Sequence, residues 1–164
     1  MKKADDSGSV KIELKRAEIG DLLAKDAALA SAPVVKLLGV PTLSKGQLRR
    51  FPDQAVLFQQ GDAGDSLFIV ISGEVRLFAR KDRDSVELGH VHKGEVFAEG
   101  SVLEGGGRKK SAVAQGQVDV LELPRSAVLT PAGTVFPVLA TLLKDVHQRR
   151  MKALDEMNDF LNRW

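Results

Sequence analysis

The rhythm of apolar positions changes near Gln47. Beyond it, apolar residues come in short runs separated by turn residues about every ten positions, the pattern of successive β-strands. Eight runs stand out: 48–51, 55–59, 66–72, 74–80, 85–91, 95–97, 111–114 and 118–123. Pro52-Asp53, the segment 61–65, Ser72-Gly73, 82–84 and Gln115-Gly116 read as turns. Val75 and Leu77 alternate with Glu74 and Arg76, as in a half-buried strand. Eight short strands at this spacing predict a β jelly roll or small barrel.

Ahead of this region the rhythm is helical. Ile12, Ile19, Leu23 and Ala27 follow one another at spacings of seven, four and four, predicting helix from Val10 to about Ala30. Gly20 is the expected break, with Asp21 capping the second piece. Ser31 and Pro33 predict a further helix over 34–38, stopped by Gly39 and Pro41. Residues 1–9 are polar and read as a disordered tail.

Behind the strands, Pro124 closes the sheet region, and Thr130, Pro131 and Gly133 interrupt a short helix. A long helix is predicted from Thr134 to Leu161, with Pro137 tolerated in its first turn. Val135, Leu139, Leu142 and Val146 form a stripe that stops early. A second stripe, Phe136, Ala140, Leu143, His147, Arg150, Leu154, Met157, Leu161 and Trp164, continues with coiled-coil spacing and predicts a parallel homodimer. Folding back onto the N-terminal helices is the alternative. The map is a tail (1–9), a helical segment (10–44), a jelly roll with a short helix (45–133) and a C-terminal helix (134–164).

Composition narrows the function. A net charge of +2 gives no strongly basic face, and Arg149, Arg150 and Lys152 read as a small solvated cluster, so direct DNA binding is not expected. The absence of cysteine removes disulfides, thiol catalysis and zinc fingers. No apolar run is long enough to span a membrane, and the N-terminus has no secretion signal, so a cytoplasmic protein is expected. No nucleophile triad or Walker loop is present. His90-Val91-His92 invites comparison with metal-dependent jelly-roll enzymes, but Glu95 lies too near and Glu99 too far to complete that ligand set. The chain is therefore read as a non-enzyme without a metal.

The segment 94–113, GEVFAEGSVLEGGGRKKSAV, carries the remaining chemistry. Small residues at Ala98, Gly100 and Ser101 allow close backbone approach, and a helical turn there presents free amides to an anion. Arg108 and Lys109 add positive charge, and Glu99 can accept hydrogen bonds from sugar hydroxyls. These are the parts of a phosphate-and-ribose cradle; the same residues also read as a flexible hairpin with solvated charges.

The run 61–77, GDAGDSLFIVISGEVRL, resembles the first signature of the cyclic-nucleotide-binding domain family. Leu88-Gly89 and the run from Lys93 to Glu99 are similar to the lead into that family's phosphate-binding cassette, and 118–124 followed by helices resembles its last strand and C-terminal helices. The resemblance implies an eight-stranded jelly roll with N-terminal helices and a long C-terminal helix, and a cyclic nucleotide, cAMP or cGMP, as ligand. By position it implies a binding set of Ala98, Glu99, Gly100, Ser101, Arg108, Lys109 and Ser111, with Glu99 on the ribose. Counting nine from Glu99 places Arg108 on the phosphate; counting back from Val113 places Lys109 there. His147, Gln148 and Arg149 reach the barrel mouth or remain helix surface. Ala98 replaces the family's glycine, and Gly100 its large apolar residue. The expected role is a regulatory sensor that passes binding through the last helix to a dimer or a protein partner. The alternative is a ligand-free relative serving as an interaction module.

Overall fold

Short apolar runs cannot bury themselves individually; paired edge to edge, they build one antiparallel sheet. The computed structural model describes residues 8, 10–13, 16–128 and 137–163. Seven strands follow in chain order: β1 (Val10–Glu13), β2 (Gln47–Phe51), β3 (Val56–Phe58), β4 (Ser66–Lys81), β5 (Asp84–Val91), β6 (Val96–Phe97) and β7 (Ser111–Pro124). The sheet order is β1-β2-β7-β4-β5, with β3 on β7 and β6 on β4, all antiparallel. Helices α1 (Arg16–Lys25), α2 (Ala27–Ser31) and α3 (Pro33–Leu43) precede the roll, α4 (Glu99–Leu103) interrupts it, and α5 (Arg125–Val128) and α6 (Pro137–Asn162) follow.

The predicted jelly roll with flanking helices is what forms, with different strand divisions. The expected strands 66–72 and 74–80 are one strand, β4, and 111–114 and 118–123 are one strand, β7. The β4–β7 pairing runs past Ser72-Gly73 with shifts of register, so this is an irregularity in a continuous ladder and not a hairpin. Val10–Glu13, expected as helix, pairs with β2 from Val10↔Arg50 to Glu13↔Gln47. Gly20 does not break α1. The break falls at Asp26, whose carboxylate accepts from the Leu29 amide at 3.0 Å and caps α2. Gly39 kinks α3 with φ 73° instead of ending it.

Successive side chains on the central strands serve different cores, because strand residues alternate faces. Leu67, Ile69 and Ile71 of β4, with Leu121 and Leu123 of β7, pack under Ile19, Leu29, Val35 and Leu38 of the N-terminal helices. Phe68 and Val70, with Val118 and Val120, point into the roll beside Phe51, Phe58 and Phe97. Three phenylalanines stack there, with centroids 5.2 Å apart for Phe68–Phe97 and 5.6 Å for Phe58–Phe68. No helix among the described residues is long and apolar enough to cross a membrane. The stripe residues Val135, Phe136 and Trp164 lie outside the described residues, as do Thr130, Pro131, Gly133, the tail apart from Gly8, and the side chains of Leu139, Ala140, Leu142, Leu143, Val146 and Arg149.

Candidate functional site

The β6–α4 junction starts the site. Phe97 is anchored in the aromatic core, and the chain then turns through Ala98 in the left-handed region, φ 63° and ψ 21°. Glycine adopts that conformation freely and alanine does not, so Ala98 carries backbone strain of about 1 kcal/mol. The turn brings Glu99 back under the fold, where only 4% of it is exposed. Ser101 is buried within α4, its hydroxyl donating to the Ala98 carbonyl at 3.2 Å.

Arg108 enters from the glycine-rich loop and is 6% exposed. Its Nη1 donates to the Ser66 carbonyl and to Ser101 Oγ at 2.8 Å, and its Nη2 to Ser66 Oγ at 2.8 Å. The guanidinium lies 4.7 Å from the Phe58 centroid and 5.2 Å from that of Phe68. Burial draws its pKa below the ordinary arginine value, against the opposing carboxylates of Glu122, Asp65 and Asp62. Gly64 makes room for it: a methyl group there would collide with Arg108 Nε. Arg108 is thus both the floor of the cavity and a cross-link between the 61–66 region and α4.

Helix α6 forms the roof. Arg150 Nη1 reaches Glu99 Oε1 at 3.0 Å and Oε2 at 3.3 Å. His147 Nε2 lies 2.8 Å from Glu104 Oε1, and its ring packs on Gly100, where an added Cβ would meet His147 Cε1 at 2.9 Å. That contact explains glycine at a position expected to be large. The partly open cavity is about 40 Å³, lined by six of the expected residues: Ala98, Glu99, Gly100, Ser101, Arg108 and Lys109. The seventh, Ser111, does not line it; its hydroxyl accepts from the Gln60 amide at 2.9 Å.

Sequence reasoning missed four wall residues, Phe58, Leu77, Lys110 and Met151, and took Arg150 for solvated surface. Arg150 in fact points inward. Its helix position, three residues after His147, was the available signal. Of the three helix residues considered for the mouth, His147 lines the cavity. His90 and His92 do not line this cavity; they share Glu74 Oε1 at 2.9 and 2.8 Å. Among the described residues no group of three or more His, Cys, Asp or Glu is placed to hold a metal ion.

Comparison with known proteins identifies the family. The model of a family described as cyclic nucleotide-binding domain matches residues 48–130. The chain is 36% identical over 124 residues to the cyclic AMP receptor protein of Thermus thermophilus, covering 73% of this chain and 56% of that one. It is 25% identical over 111 residues to a cAMP-dependent protein kinase regulatory subunit of Pyricularia oryzae, covering 68% of this chain and 28% of the relative. Among solved structures, the Thermus thermophilus catabolite activator protein superposes with a TM-score of 0.66 at 31% identity, over 82% of this chain and 62% of that one. The chain thus spans about half or less of the curated relatives it matches.

Proposed function

Since the chain belongs to the cyclic nucleotide-binding domain family, we propose that it is a regulatory module that senses a cyclic nucleotide, cAMP or cGMP, and transmits binding through α6. The observation that carries this reading is the Arg150–Glu99 ion pair under α6. Glu99, in this reading the acceptor for a ribose hydroxyl, is occupied by Arg150 of α6, and the cavity of about 40 Å³ beside the pair holds only a few waters. A nucleotide therefore requires α6 to shift, and that shift is the signal. In this reading Glu99 accepts from the ribose, Ser101 and the α4 amides face the phosphate, and Arg108 and Lys109 neutralise it. Arg108 supplies the planar fork from below and Lys109 a mobile charge from the rim, so both cations serve.

The receiving surface is the far end of α6, where Phe160 and Leu161 are 60% and 55% exposed. A second copy of the chain covering them makes a homodimer whose helix pair responds to the shift.

Thermal unfolding with and without cAMP and cGMP tests the reading. Ligand at a hundred times its Kd adds about 2.7 kcal/mol, a rise of roughly 5 to 11 °C in Tm for a chain of this size. The rise is expected to vanish in Glu99→Ala. No rise with either nucleotide at millimolar concentration sinks the sensor reading. It would favour the ligand-free interaction module, which the small cavity and the engaged donors of Arg108 also suit.

A further inference from the structure

The cavity does not end at Arg150. Leu77, Lys110 and Arg150 also wall a neighbouring groove of about 250 Å³ that runs beneath α6. Leu88, Val91, Leu154 and Met157 give it apolar sides. If the ribose sits at Glu99, as proposed above, the groove is where its base extends. Flat apolar walls accept any purine, so the polar groups on the lining decide which one.

Those polar groups are unevenly committed. Arg150 is engaged with Glu99. His90 lies against Glu74 and Glu87, at 2.9 Å from each. Glu95 is a carboxylate whose Oε1 takes the His92 amide at 3.1 Å and lies 3.1 Å from His92 Nδ1, which leaves the lone pairs of Oε2. Lys110 stands apart. It is half-buried at the seam of cavity and groove, and among the described residues it makes no hydrogen bond and no ion pair. Burial lowers its pKa, with Glu99 opposing and Arg150 reinforcing the shift. A desolvated ammonium without a hydrogen-bond partner gains most from an acceptor brought by a ligand.

We infer that Lys110 reads the base and that this site is built for a guanine nucleotide over an adenine one. An ammonium only donates. Guanine offers O6 and N7 as adjacent acceptors, whereas adenine offers N7 beside an N6 amino group that is itself a donor. Adenine would set donor against donor at Lys110 and leave the amine unpaired. Guanine also brings N1–H and N2–H donors, for which Glu95 is the acceptor in the same lining.

The inference rests on the proposed nucleotide site, and three ligands separate the two. Calorimetric titration of the full chain with cGMP, cIMP and cAMP is expected to show cGMP tighter than cAMP by on the order of ten- to a hundredfold. cIMP keeps O6 and N7 but lacks the 2-amino group, and is expected to bind more tightly than cAMP. Lys110→Met is expected to bring the cGMP-to-cAMP ratio near one, and Lys110→Arg to preserve it. Tm without ligand checks that both variants fold; if Lys110→Met does not, the cIMP comparison on the unaltered chain decides. cAMP binding as tightly as cGMP, cIMP binding no tighter than cAMP, or a ratio that survives Lys110→Met each overturns the inference while the site reading stands. No binding by any of the three overturns both.

Discussion

The two cores on either side of the central strands are made differently. The one under the N-terminal helices is aliphatic, closed by Ile19, Leu29, Val35 and Leu38 over Leu67, Ile69 and Leu121. The one inside the roll is built on Phe51, Phe58, Phe68 and Phe97 and borders a buried guanidinium. Aliphatic side chains from helices and sheet interlock and leave nothing polar to satisfy. Aromatic faces tolerate a cation and so let a charged site be founded on a core. The first core holds the fold, and the second also holds Arg108 in place.

Substitutions on neighbouring residues of β4 separate the two roles. Phe68→Ala is expected to cost about 3–5 kcal/mol in urea unfolding and to weaken nucleotide binding, because Arg108 loses one of its two rings. Ile69→Ala, one residue along and facing the helices, should cost about 2–5 kcal/mol with nucleotide affinity unchanged once folded. Equal effects of the two on affinity would erase the distinction. Gly64→Ala acts on the site more directly. Its methyl displaces Arg108, at about 1–3 kcal/mol of overpacking, and a nucleotide-induced Tm rise that persists in full would show that Arg108 is not needed where it lies. Ala98→Gly is gentler: relief of the left-handed strain, offset by the freer unfolded chain, should raise stability by about 1 kcal/mol or less. The smallest effect belongs to Asp26 on the helix side. Hydrogen bonds from Lys93 and the Leu29 amide hold its pKa below the usual carboxylate value. Its contribution is present at neutral pH and lost as pH falls through the folded-state pKa. Asp26→Asn should therefore flatten the acid limb of a stability-against-pH curve.

Much of this was legible in the chain. The apolar run 66–72 and the 74–77 alternation of β4, with the 94–101 run, led to the roll and to the Glu99 turn, because these are local patterns. The strand Val10–Glu13 was not legible, since its partner Gln47–Phe51 lies far along the chain and Ile12 also fits a helical stripe. That Arg108 is buried while Lys109 stays exposed depends on the space at Gly64, which no spacing count contains. Arg150 was misread because a cation among other cations on a helix looks solvated; only the carboxylate brought beneath it turns it inward. Lys110 was passed over for its two neighbours because the course of the irregular backbone ahead of β7, not charge, decides which of three consecutive cations enters the groove.

The clasp of Arg150 on Glu99 bears on how much signal the protein needs. A ligand that requires the roof to be lifted sees an affinity reduced by the fraction of molecules in which it already is. In the proposed sensor, the nucleotide concentration that triggers a response would then be set partly by a pair of side chains spanning helix and roll, separately from the contacts that recognise the ligand. On that proposal, weakening the pair at Arg150 would lower the threshold and lengthening its lifetime would raise it, so one position on α6 would retune the response to a different level of the same molecule.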